Sequence, residues 1–125
     1  MTKAQRHVRR FFVFTLGCRT NQYESAAIGQ QLELEGLLRA ASWHEADIII
    51  VNTCAVTHST EAQSRQTIRR SLRENPRCSV IVTGCYAQIL PEEIRALSDR
   101  VFVLGNLQKD ELAKWLAAFL RKETF

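Results

Sequence analysis

The sequence predicts an α/β fold built on a parallel sheet of about four strands, and three observations carry that expectation. Apolar runs alternate with segments of helical period, the pattern of successive β-α-β units. The runs are rich in Val, Ile and Phe without polar alternation, as strands covered on both faces are. The chain's 125 residues, 46% hydrophobic and 24% charged, suit one globular domain with a single core.

Strands are expected at Phe11–Leu16, Asp47–Asn52, Ser79–Thr83 and Val101–Leu104. The first helix should open on Asn21-Gln22-Tyr23-Glu24, an Asn cap with Glu three residues on, and stop at Gly36. At 100° per residue it carries two apolar rows: Tyr23, Ala27, Leu34 and Leu38 on one side, Ile28 and Leu32 nearly opposite. A second helix is predicted from Thr60 to Glu74, with Thr60-Glu61-Ala62-Gln63 as its capping pattern and Pro76 beyond its end. A short third begins at Pro91, a favoured first helical residue, and Glu92 and Glu93 suit the positive helix end. The fourth, from about Lys109 to Lys122, places Leu112, Trp115, Leu116, Phe119 and Leu120 at spacings of three and four for core packing.

Three of the four strand runs finish at a cysteine. "FFVFTLGC" ends at Cys18, "DIIIVNTC" at Cys54 and "SVIVTGC" at Cys85. Parallel strands joined by helical crossovers point the same way, so their C-terminal ends gather at one rim, where open α/β folds bind ligands. Three cysteines on neighbouring strands can converge there, and a strand order of 2-1-3-4 provides such neighbours. A single cysteine at a strand end is more often packing; three in equivalent positions point to a site. Cys78 precedes the third strand and belongs at the opposite rim, about 20 Å away.

Zinc in structural sites takes four ligands, commonly from C-x-x-C pairs that this chain lacks. Three thiolates on a four-iron cluster leave one iron open to an exogenous ligand. Helix N-termini after each cysteine suit such an anionic centre, and Asn21, Asn52, Thr53 and Thr83 are near enough in sequence to hydrogen-bond around it.

"TLGCRTNQYES", "VNTCAVTHSTEAQSRQTIRR" and "TGCYAQ" resemble, in order, the three cysteine motifs of the N-terminal domain of radical-SAM methylthiotransferases. The resemblance runs from about Phe11 to the fourth helix. It implies a flavodoxin-like fold and an auxiliary [4Fe–4S] cluster on Cys18, Cys54 and Cys85 that takes part in sulfur or methylthio delivery. The Asn-Gln-Tyr-Glu, Ser-Arg-Gln and Thr-Gly-Cys-Tyr-Ala-Gln segments look most like the branch that methylthiolates N6-threonylcarbamoyladenosine beside the anticodon of tRNA. Sister branches act on isopentenyladenosine in tRNA or on an aspartate of a ribosomal protein. The family's catalytic domain carries a C-x-x-x-C-x-x-C motif for a second, S-adenosylmethionine-binding [4Fe–4S] cluster, and this sequence has none. Residues 11–125 are therefore expected to be the auxiliary-cluster domain alone, without the radical-SAM and RNA-binding domains and inactive by themselves. Residues 1–10 are expected to form a basic, disordered tail.

A net charge of +4 permits contact with nucleic acid. Arg65, Arg69 and Arg73 recur at every fourth position of the second helix, with Arg70 beside them, and are candidate tRNA contacts. The competing reading is a solvated helix face, with Arg65 near enough to the Ile68–Leu72 side to pair internally. His7, His44 and His58 share no site-like spacing, although His58 and Tyr86 lie close in sequence to the cysteines. No run approaches the roughly 20 apolar residues of a membrane span, and the start has no cleavage site of a secretory signal. A cytoplasmic setting is expected, in which thiols are more often ligands or nucleophiles than disulfides. Two other functions use the same rim. A flavin or nucleotide carrier would need a phosphate cradle that "GCRTNQ" does not offer; a thiol switch would pair the same cysteines as disulfides.

Overall fold

The computed structural model describes residues 10–16, 19–53, 58–84, 91–105, 114, 115 and 118. In chain order the elements are β1 (Arg10–Thr15), α1 (Arg19–Leu34), β2 (Leu38–Arg39), a 3₁₀ turn (Trp43–Glu45) and β3 (Ile48–Thr53). They continue with α2 (His58–Glu74), β4 (Ser79–Gly84), α3 (Pro91–Arg95) and β5 (Val101–Gly105). All five strands are parallel, in the order β2-β1-β3-β4-β5. This is the flavodoxin-like order, the α/β architecture that the sequence predicts.

The expected four strands are present and a fifth joins them. Leu38–Arg39 pairs with the start of β1, so the outer position beside β1 belongs to this two-residue strand. The Asp47–Asn52 run becomes β3 and sits between β1 and β4. The three cysteine-preceding strands are therefore consecutive in the sheet. Arg10, assigned to the tail, opens β1 and donates its backbone N–H to Asp47 Oδ2 at 3.0 Å.

Both faces of the sheet are covered, which explains the continuous apolar runs. All six residues of β3 are buried. Ile49, Val51, Val80 and Val82 face Ile68 of α2 and Ile94 of α3, with Phe12, Phe14, Trp43 and Leu72 against them. The alternate positions Phe11, Ile48, Ile50 and Ile81 face Ile28 and Leu32 of α1, with Phe102 and Trp115 alongside. Trp115 lies 6.1 Å from Phe102 between ring centroids, in keeping with its expected packing role. The rest of the Lys109–Lys122 segment lies outside the described residues apart from Lys114 and Ala118.

Two helices start earlier than their capping patterns suggest, α1 at Arg19 and α2 at His58. Gly36 does end the first helical segment, with φ at +98°. The buried row of α1 is Ser25, Ile28 and Leu32, whereas Tyr23 and Leu34 are 82% and 80% exposed. Leu38, read as part of the Tyr23 row, leaves the helix altogether for β2. At the far end of α2, Asn75 donates from one side-chain amide to the carbonyls of Trp43 and Ala46, both at 2.8 Å. That amide holds the turn before β3 against the helix end.

Candidate metal centre

Register fixes where the three cysteine-bearing segments begin. Thr15 pairs with Asn52, Asn52 with Thr83, and Thr53 with Gly84. The N–H of Leu16 donates to Asn52 O at 3.0 Å, carrying the β1–β3 ladder one step past the strand. Thr53 and Gly84 are each the residue before a motif cysteine, and Leu16 stands two before Cys18. Cys18, Cys54 and Cys85 themselves lie outside the described residues, as do Tyr86 and the side chains of Asn21 and His58.

The end of the sheet differs chemically from its middle. Below, β3 and β4 are Ile and Val; at the rim come Asn52, Thr53 and Thr83, all buried. Buried polar groups need partners, and these have them. Asn52 Nδ2 donates to Ser25 Oγ of α1 at 3.1 Å, and Thr53 Oγ1 donates to the Thr83 carbonyl at 2.7 Å. Asn52 and Thr53 donate from their side chains, and Thr83 accepts through its carbonyl, in bonds among the elements that form this rim.

Gly84 is the residue that sequence reasoning passed over. Its φ is +98°, a region that favours glycine. A Cβ there would collide with the Thr53 carbonyl oxygen and lie 2.8 Å from Thr53 N and 2.9 Å from Thr53 Oγ1. The ends of β3 and β4 approach this closely only because no side chain separates them. A glycine directly before a motif cysteine was the available signal.

Cys78 behaves as expected. It lies before β4 at the opposite rim, fully buried, with its thiol 3.8 Å from the Ser71 carbonyl. Burial pushes the thiol pKa up, against a smaller opposing effect of Arg100. It is a packing cysteine. Among the described residues no group of three or more His, Cys, Asp or Glu could hold a metal ion.

The three candidate arginines part company. Arg65 Nη1 bonds Glu93 Oε1 of α3 at 3.0 Å, so its guanidinium fastens α2 to α3. Arg69 and Arg73 are exposed, and Arg73 approaches Glu74 only to 3.6 Å. Nearby, Arg70 bonds Glu74 at 3.2 Å and lies over the Trp43 ring, 5.3 Å from its centroid. His44 stacks on Trp43 and bonds Glu74 at 3.1 Å, a surface cluster with no sequence spacing to announce it.

An all-parallel α/β sheet with a polar rim ahead of three cysteines defines the class, and comparison with known proteins agrees. Residues 10–105 match the family described as "Uncharacterized protein family UPF0004", and the chain belongs to it, the N-terminal domain family of the methylthiotransferases. It is 40% identical over 102 residues to the threonylcarbamoyladenosine tRNA methylthiotransferase MtaB of Bacillus subtilis (strain 168), covering 82% of this chain and 23% of that protein. Against MtaB of Aquifex aeolicus (strain VF5) the identity is 38% over 108 residues, covering 86% and 26%. A tRNA-2-methylthio-N(6)-dimethylallyladenosine synthase of Chlorobium phaeobacteroides is 42% identical over 89 residues, covering 69% and 20%. The chain thus spans about a quarter of the length of the curated relatives it matches first. Among the described residues no helix is long and apolar enough to cross a membrane.

Proposed function

We propose that this chain is the auxiliary-cluster domain of a cytoplasmic radical-SAM tRNA methylthiotransferase, with Cys18, Cys54 and Cys85 holding a [4Fe–4S] cluster. The observation that carries the reading is the register of the rim: Thr53 stands opposite Gly84, and each is followed in the sequence by a motif cysteine. Adjacent strands lie about 4.8 Å apart, so the paired residues Thr53 and Gly84 end their strands at neighbouring points of the rim.

The donor set suits the group. Thiolates are the common ligands of iron–sulfur clusters, and three of them leave one iron coordinatively open. When bound, the cluster would supply that open iron for handling sulfur. The N-termini of α1 and α2 lie at the same rim, and their aligned peptide dipoles favour a negatively charged centre. The buried Thr53 hydroxyl on the Thr83 carbonyl and the Asn52 amide on Ser25 brace the strand ends from which the cysteine segments continue.

The substrate we infer is tRNA carrying N6-threonylcarbamoyladenosine, from the MtaB relatives. The reacting S-adenosylmethionine and its own [4Fe–4S] cluster would belong to a radical-SAM domain, since this sequence contains no C-x-x-x-C-x-x-C. The 125-residue chain alone should therefore not cleave S-adenosylmethionine. Anaerobic reconstitution with iron and sulfide tests the centre: about four irons per chain are expected, falling sharply on Cys54→Ser. An unchanged iron content in that variant would refute the assignment.

A further inference from the structure

Two residues that are neither ligands nor part of the core hold β3 and β4 together where the chain leaves the sheet. Gly84, at φ +98°, leaves no side chain between the strands, and any Cβ there would run into the Thr53 backbone. From the other side, the fully buried Thr53 sends its hydroxyl across to the Thr83 carbonyl at 2.7 Å. The glycine permits the approach and the hydroxyl fastens it. The cost of breaking either is borne one residue away from both Cys54 and Cys85.

We propose that Thr53 and Gly84 are positioning residues for the metal centre: their contact sets the separation at which Cys54 and Cys85 are offered to the cluster. The proposal rests on the cluster reading above but concerns a different part of the molecule. Fold stability comes chiefly from the apolar layers below. The Thr53–Gly84 contact, by contrast, acts on geometry at the rim, as groups behind metal ligands commonly do.

The test compares Thr53→Val, Thr53→Ser and Gly84→Ala in the 125-residue chain. Circular dichroism and thermal melting establish that each folds. Each is reconstituted anaerobically with iron and sulfide, challenged with a chelator, and examined by electron paramagnetic resonance after reduction. Thr53→Val should lose iron to the chelator about tenfold more readily than the parent and give an altered signal. Thr53→Ser, which keeps the hydroxyl, should restore parental behaviour. Gly84→Ala should resemble Thr53→Val, and if it does not fold the Val–Ser pair decides. Parental retention and spectrum in folded Thr53→Val would overturn the proposal.

A readout without iron separates it from the cofactor assignment. In a Cys18→Ser background, dibromobimane joins Cys54 to Cys85 and fluoresces once both thiols have reacted. Thr53→Val should slow this linking several-fold and Thr53→Ser should not. If the parent chain takes up no iron, the cluster reading falls while the cross-linking still judges the latch; equal rates in parent and Thr53→Val would sink it.

Discussion

The guanidinium of Arg100 donates to the Leu72 carbonyl at 2.7 Å, tying the residue before β5 to the last turn of α2. Its other amino group donates to the carbonyls of Cys78 at 2.9 Å and Asn75 at 3.1 Å. One side chain thus satisfies carbonyls that the helix end and the following turn leave open. Replacement by Ala should cost about 2 kcal/mol, since half-buried hydrogen bonds to a charged donor are lost together. Lys should rescue little, because a point charge cannot reproduce the planar fork. Urea unfolding of the two variants checks both statements.

Asn75 makes a second such joint, and its amide orientation matters. Asn75→Ala leaves the carbonyls of Trp43 and Ala46 without that donor and should destabilise by about 2 kcal/mol. Asn75→Asp should be worse at neutral pH, because an anionic acceptor would face two carbonyl oxygens. Asp proving equal to Asn in thermal melts would show that the amide donates nothing of consequence.

Glu74 links the surface cluster to pH. Its carboxyl is held below the ordinary value of 4.5, chiefly by the His44 hydrogen bond; desolvation is the next largest influence and opposes it, and Arg70 adds a further lowering. A lowered folded-state pKa means stability that is present above about pH 4.5 and lost as pH falls through the folded value. His44→Ala removes the largest cause, so the carboxyl should titrate nearer its ordinary value. Carbon-detected NMR of Glu74 across pH 2 to 6 provides the check, and an unmoved titration would contradict the ordering of causes.

The two positive-φ glycines should respond differently to alanine. Gly36 shares the +98° backbone of Gly84 but has no other group within 4 Å of an added methyl. Gly36→Ala should therefore cost only the conformational preference, about 1 kcal/mol, by denaturant titration. Gly84→Ala should cost more, because the Thr53 backbone must also move.

For tRNA the arginines should separate as their contacts do. In a full-length methylthiotransferase carrying this domain, Arg69→Glu with Arg73→Glu should weaken tRNA binding and flatten the log–log salt dependence by about 1 to 2. Arg65→Ala should leave the slope unchanged and instead loosen α3, whose Glu93 it holds. A salt slope unaffected by the double reversal would make that helix face ordinary solvated surface.

Much of this was legible in the sequence because strands buried on both faces leave a strong signal. Ile48–Thr53 and Ser79–Gly84 read as strands from their apolar content alone. Leu38–Arg39 did not, because two exposed residues bury nothing and leave no pattern. On α1 the two largest apolar side chains of the Tyr23 row, Tyr23 and Leu34, face outward, while the covered row includes Ser25, which serves as hydrogen-bond acceptor for Asn52. Periodicity counts apolar residues and cannot see such a polar partner. The strand runs that precede the motif cysteines in the sequence were likewise legible. The Thr53–Thr83 bond and the closeness at Gly84 were not, because they join residues 30 and 31 positions apart and each involves backbone atoms that carry no residue-specific signature.

Every neighbour in the sheet is reached by a crossover and none by a hairpin. Past the short β1–β2 pairing, Phe11 waits for Ile48, Ile48 for Ser79 and Val80 for Val101 before those ladders can form. During synthesis the rim is consequently a late event: Thr53 has no Gly84 to meet until the ribosome has released β4. A nascent chain stalled after α2 should present its first two motif cysteines as ordinary accessible thiols.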